Sequence, residues 1–213
     1  MIERPILFND DMVRAILDGR KTQTRRAIKP QPVEVPHAFQ FKSGTYPIPK
    51  EQFRRYLANN HSPYGRPGDR LWVREAHAFV PRTAYARSDG VQQTINPHCL
   101  GQDTAAIYRQ GWDRSTGGFR WRPSIHMPRW ASRITLEIVS VRVERLLDLS
   151  YEDAIAEGCA GGRGSIPGYG YSSTPREHFR HVWQEINGAD SWDANPWVWF
   201  VEFRVIQQGE VAA

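Results

Sequence analysis

Two segments carry apolar residues at helical spacing. In the first, Met12, Val13, Ile16 and Leu17 follow Asn9, Asp10 and Asp11, any of which can cap a helix, and Gly19 stops it as a residue that accepts positive φ. In the second, Thr174 is a cap with Pro175 in the first turn and Glu177 as its capping-box partner, ahead of Phe179, Val182, Trp183 and Ile186. Capping chemistry marks a third, short helix over 151–157, where Ser150 is followed by Asp153 and the helix ends at Gly158.

Strand-like alternation is found elsewhere. Lys21-Thr22-Gln23-Thr24-Arg25-Arg26 predicts a short strand, stopped by Lys29-Pro30-Gln31-Pro32. The turn over 65–69 launches a strand over 70–76, in which Leu71 and Val73 oppose Trp72 and Arg74. Ala105-Ala106-Ile107-Tyr108 predicts another. The longest strand covers 132–144, with Ile134, Leu136 and Ile138 on one side and a shift of phase at Val139-Ser140-Val141 that suggests a bulge or a barrel corner. A last strand covers 197–206, and a frayed tail follows from Gln207. Residues 31–66, rich in proline, read as a surface insertion with one short helix near 51–57, and 77–123 as a second, irregular insertion. Glycines at 161, 162, 164, 168 and 170 predict a mobile loop. Helices and strands that do not alternate argue for an α+β fold around an antiparallel or mixed sheet, with the phase shift favouring a small closed or curled one.

Length and composition narrow the class. A chain of 213 residues with 40% hydrophobic and 24% charged residues supports a single packed domain over 1–206 and excludes a largely disordered chain. No run approaches the ~20 apolar residues of a membrane span, and the first residues lack the apolar run of a secretory signal. Only Cys99 and Cys159 are present, which excludes a disulfide framework and points to a reducing cytoplasm. Of the 28 basic residues, 24 are Arg. With Trp112, Phe119 and Trp121 interleaved among Arg109, Arg114, Arg120 and Arg122, this suits a nucleotide or nucleic-acid partner, although a GC-rich coding sequence accounts equally well for the arginines.

Several sites are absent from the sequence. Gly117-Gly118 and the glycines of 161–170 lack the Lys-Ser/Thr ending of a phosphate-cradling loop, no His-Glu-x-x-His occurs, and His98-Cys99 has no companions at metal-ligand spacing. No metal and no cofactor are expected. The informative segment is Gly19 to Arg26, where Lys21 stands three residues before Thr24 beside Arg20, Arg25 and Arg26. Neighbouring cations lower a lysine pKa, and such a lysine can act as base on a hydroxyl. A solvated basic strand that binds phosphate is the alternative. A regular strand also sends positions three apart to opposite faces, so the chemistry requires a bend there.

That segment resembles the Gly-x-Lys-Thr-x-Thr-x-Arg signature of the ASCH family, whose members are similar to PUA-type RNA-binding barrels. The preceding helix, Gly68-Asp69-Arg70-Leu71-Trp72-Val73-Arg74-Glu75 and the strands 132–144 and 197–206 fit the pattern in order. Arg4-Pro5-Ile6-Leu7-Phe8, Ser124-Ile125-His126-Met127-Pro128-Arg129-Trp130 and Asn195-Pro196-Trp197-Val198-Trp199 resemble the longer members encoded by phages and prophages. The resemblance implies a PUA-like β-barrel with flanking helices. A small bacterial member is an N(4)-acetylcytidine amidohydrolase using a Lys, a Thr and a Glu, which match Lys21, Thr24 and, through the helix after the long strand, Glu157. It thus implies a hydrolase that removes an acyl group from a modified cytidine, with Lys21 activating Thr24 and Glu157 protonating the leaving amine or orienting Lys21. Arg20 and Arg26 would hold phosphate or the oxyanion.

Other residues keep two readings. Glu75 either lines the pocket or pairs with Arg74 or Arg26. His126 either contacts substrate, with Arg129 beside it, or is buried in a proline-bounded turn, and Trp72 either stacks a base or belongs to the core. Trp183, Trp192, Trp197 and Trp199 read as core, and Tyr169 and Tyr171 as stacking residues of the loop. The competing functions are a non-catalytic module binding RNA, or less readily DNA, and a metal-dependent ribonuclease of the kind found among other ASCH relatives. A nucleoside, nucleotide or nucleic-acid partner in a bacterial cytoplasm is common to all three. The sequence does not give an oligomeric state.

Overall fold

The computed structural model describes residues 1–35, 38–41, 44–47, 49–85, 88, 90–98, 105–113 and 120–208. In chain order the elements are β1 (Glu3–Leu7), α1 (Asp10–Leu17), β2 (Gln23–Ala27), β3 (Val33–Val35), β4 (Ala38–Phe41), β5 (Gly44–Tyr46), α2 (Lys50–His61), β6 (Arg70–Arg74) and β7 (His77–Val80). There follow β8 (Gln93–Ile95), β9 (Ala105–Tyr108), β10 (Ile134–Arg145), α3 (Tyr151–Ala156), β11 (Gly162–Arg163), β12 (Ser172–Ser173), α4 (Pro175–Asn187) and β13 (Trp197–Gln208). The fold is α+β. Its largest sheet has the order β1-β6-β10-β13-β2, and three small sheets accompany it. Among the described strands that order is open, with β1 and β2 at its ends, so the closed barrel expected from the phase shift of β10 is not formed. No described helix is long and apolar enough to cross a membrane.

The chain divides into two compact units. The first comprises Met1–Gly19, Gly68–Glu137 and the chain from Arg204 onward. Here β1 runs parallel to β6, and β6 pairs antiparallel with the start of β10. Pro5 lies in the edge strand β1, where its missing N–H is tolerated. Asn9 caps α1 by accepting from the Met12 N–H, and Gly19 has φ +72°, the conformation its position past the helix requires. The stretch 77–123, expected to be irregular apart from one strand, contains the antiparallel sheet β7-β9-β8. Its strands are three or four residues long, too short to register as alternation. Ala78, Val80, Val91, Ala105 and Ile107 form its core.

The second unit comprises Arg20–Pro67 and Ile138–Phe203. Here β2 pairs antiparallel with β13, placing Thr24 opposite Val201 and Arg25 opposite Phe200. Residues 31–66 are not merely a surface insertion. They build the sheet β3-β4-β5 and the twelve-residue α2, and Phe39, Phe41, Phe53 and Leu57 are buried with Val143, Trp197 and Trp199. Proline density masked the alternation of Phe39 and Phe41 around Gln40. A second core joins Leu149, Ala154, Cys159, Phe179, Trp183, Trp192 and Val198. Both predicted capping boxes, at Ser150 with Asp153 and at Thr174 with Glu177, are present. The glycine-rich stretch is drawn together by the pairing of β11 with β12. At Gly161, φ is +69° and a Cβ would meet Ser173 O at 2.6 Å, so glycine is required there. Burial along β10 changes parity, with Ile138 and Val143 buried and Val139 exposed. Cys99, Gly117-Gly118 and the tail from 209 lie outside the described residues.

Candidate functional site

Lys21 lies in the second unit, two residues before β2, where it forms an isolated antiparallel bridge with Glu157. The adjacent Thr22 N–H donates to Ala156 O at 2.9 Å, which fastens the chain before β2 to the C-terminal end of α3. The ordered capping box at the other end of α3 sets where that end falls. Glu157 is its C-cap residue. The Lys21 ammonium donates to Glu157 Oε2 and to Glu157 O, each at 2.8 Å. A cation on carbonyls at a helix C-terminus is favourably placed.

Arg25 completes the cluster. Its Nε donates to Glu144 Oε1 at 2.7 Å and its Nη1 to Glu157 Oε1 at 3.2 Å, and its Nη2 lies 3.0 Å from Asp153 Oδ2. Gln23 donates to Asp153 O and Oδ1. Arg142 donates from Nε to the second oxygen of Glu144 at 2.9 Å. Lys21, Arg25 and Arg142 thus balance Glu144, Asp153 and Glu157. The side chains of Lys21 and Arg25 are fully buried and that of Glu157 is 3% exposed. Pairing with opposite charge is what makes burial of these groups tolerable.

Burial lowers the pKa of Lys21 from its ordinary value, and the charge of Glu157 and its hydrogen bond act against that shift. Asp153 is held below the usual aspartate range: burial raises it, but hydrogen bonds from Gln23 and Ser150 and the charge of Arg25 outweigh that. Cys159 is pushed up to about 12, chiefly by burial, and is an inert core thiol.

Lys21 and Glu157 are therefore brought together. Thr24 is buried in β2, and neighbouring residues of a strand point to opposite faces, so its side chain lies on the other face from Gln23 and Arg25, which bind α3 and its cap. Arg26 shares the face of Thr24 and is half-buried, and Arg20 is exposed. Arg25, Glu144 and Asp153 were not foreseen as site residues. Their partners are separated by 119 and 132 positions, and no local spacing signals such a meeting.

The remaining candidates belong to the first unit. Glu75 is 1% exposed and grips Arg133 through two bonds, at 2.9 Å and 2.8 Å. Burial raises its pKa and Arg133 opposes the rise. Glu75 is thus paired, with Arg133 and not with the expected Arg74 or Arg26. His126 is exposed, and the buried residue of that turn is Met127. Arg129 is exposed and paired with Glu3 at 2.9 Å. Trp72 is half-buried, with the guanidinium groups of Arg74 and Arg129 5.3 Å and 5.9 Å from its ring centroid. Trp183, Trp192, Trp197 and Trp199 are buried, while Tyr169 and Tyr171 are exposed and in edge contact with each other. Among the described residues no three His, Cys, Asp or Glu side chains group as metal ligands.

No family model matches this chain, and no curated protein or solved structure matches it.

Proposed function

We propose that the chain is an ASCH-type, PUA-like hydrolase that removes an acyl group from a modified cytidine, with N(4)-acetylcytidine as the model substrate, in the cytoplasm of a bacterial host. The observation that supports this reading most is the contact of Lys21 with Glu157 in a water-excluded cluster. In the proposed reaction the Thr24 oxygen bonds to the acyl carbon while neutral Lys21 takes the hydroxyl proton. The C–N bond then breaks, and the cytidine amine leaves with the proton that Lys21 took from Thr24, while Glu157 orients Lys21. Water hydrolyses the Thr24 ester, so the products are a carboxylic acid and cytidine. Burial favours the neutral lysine that this step needs. The Lys21 ammonium is bonded to Glu157 on the side of β2 that carries Arg25, so the proposed step requires the amine to leave Glu157 and turn to the face of Thr24.

The test is incubation of the wild-type protein with N(4)-acetylcytidine and chromatography of the products. Equimolar cytidine and acetate are expected, and intact substrate would refute the reading.

The complete burial of the Lys21 side chain favours a second reading. In it the cluster is structural, and the protein is a binding module for RNA, and secondarily DNA, through its arginines. Steep weakening of RNA binding with salt, without turnover, would favour the module.

A further inference from the structure

We infer that the second unit carries a phosphate-binding pocket, formed by Arg54 and Arg55 of α2 with Arg142 of β10, that seats the phosphoryl group of a cytidine nucleotide. The pocket measures about 470 Å³, and Asn59, Glu144 and Asp148 also line it. That volume falls within the range of small-molecule sites. Three guanidinium groups and an amide offer many donors and match the planar fork geometry that phosphate oxygens accept.

Its two acids are already engaged. Glu144 has one oxygen on Arg25 and the other on Arg142, and Asp148 accepts from the Arg145 N–H at 3.2 Å. The arginines are also pre-positioned on aromatic rings. The Arg54 guanidinium lies 5.0 Å from the Trp197 centroid and that of Arg142 3.3 Å from the Phe200 centroid. Stacking of this kind restricts the side chains before a ligand arrives, which lowers the ordering cost of binding.

Glu144 joins this pocket to the Lys21 cluster. It forms part of the pocket wall and also holds Arg25, whose other nitrogen holds Glu157, the partner of Lys21. The contact chain Arg142–Glu144–Arg25–Glu157–Lys21 lies wholly within one unit. The choice of cytidine as the base rests on the hydrolase reading; the phosphate site does not. The segment that supplies Arg54 and Arg55 is the proline-rich stretch read from sequence as an insertion.

The experiment is calorimetric titration of the full chain with inorganic phosphate, cytidine, cytidine 5′-monophosphate and a short oligocytidylate lacking a terminal phosphate. The monophosphate is expected to bind about tenfold or more tightly than cytidine, with phosphate competing, since charge-assisted hydrogen bonds to the phosphoryl group are gained. Arg55→Gln should remove about tenfold of monophosphate affinity and leave cytidine unaffected, and Arg142→Gln, which also releases Glu144, should remove at least as much monophosphate affinity. Arg55 is exposed, so its variant keeps the test valid if Arg142→Gln fails to fold. Equal binding of nucleoside and nucleotide, or indifference of the monophosphate to Arg55→Gln, would overturn the proposal. So would Arg55-dependent binding of the oligonucleotide without binding of the monophosphate, which would assign the arginines to a polymer backbone. Arg55-dependent monophosphate binding without deacylation would leave the phosphate site standing and refute the hydrolase. Deacylation without nucleotide preference would do the reverse.

Discussion

Lys21 and Glu157, 136 positions apart in the chain, meet at 2.8 Å with both side chains almost wholly withdrawn from water. Glu157 divides its carboxylate between two cations, one oxygen on Lys21 and the other on Arg25. The two partners are therefore not equivalent. Glu157→Gln leaves two buried cations short of a carboxylate and should cost about 3–5 kcal/mol. Lys21→Met leaves Glu157 still paired with Arg25 and should cost less. Urea denaturation of the two variants measures the difference, and equal losses would contradict this asymmetry.

In the first unit, Glu75 and Arg133 form a two-bonded pair with 1% and 4% side-chain exposure. Glu75→Gln strands a buried guanidinium and should destabilise by about 3–5 kcal/mol. Wild-type turnover in the residual folded protein is expected, because Glu75 acts on structure alone. A variant with wild-type stability and lost activity would return Glu75 to the site.

Asp153 links stability to acid. Its folded pKa lies below the unfolded reference of 3.8, so its stabilising contribution is complete above that value and is lost as pH falls through the folded value. The urea midpoint should decline below about pH 4 more steeply in the wild type than in Asp153→Asn. Parallel declines would show that other carboxylates dominate.

Turnover should depend on pH through Lys21. Only the neutral amine can accept the Thr24 proton, so kcat/KM should rise with pH. The midpoint should lie below 10.5, because burial disfavours the ammonium form. A flat profile across the alkaline range would remove Lys21 as the base.

What could be read from the sequence followed local rules. The caps at Ser150 and Thr174, the end of α1 at Gly19 and the span of β10 depend on residues within a few positions of each other, and each is found. The approach of Glu157 to Lys21 followed from matching a pattern, with no distance in it. What escaped was non-local or short. The strands β3, β4, β5, β7 and β8 have three or four residues each, below the length at which alternation is visible. β1 holds only one buried residue, Ile6, and takes its place by pairing with β6. Arg25 was passed over because an arginine in a basic run reads as solvated; only the carboxylates of Glu144, Asp153 and Glu157, brought by other elements, make it a buried residue.

The most direct measurement is the rate of N(4)-acetylcytidine deacetylation by wild type, Lys21→Met, Thr24→Ala and Thr24→Ser, with circular dichroism establishing that each variant is folded. General base catalysis is worth ~100- to 10,000-fold, so Lys21→Met and Thr24→Ala should each lose activity on that scale. The double variant should lose little more, since the two groups act as one unit. Thr24→Ser, which keeps the hydroxyl, should retain part of the rate. Turnover undiminished in folded Lys21→Met, or absent from the wild type, would contradict the account and make the cluster of Lys21, Arg25 and Glu157 a structural one.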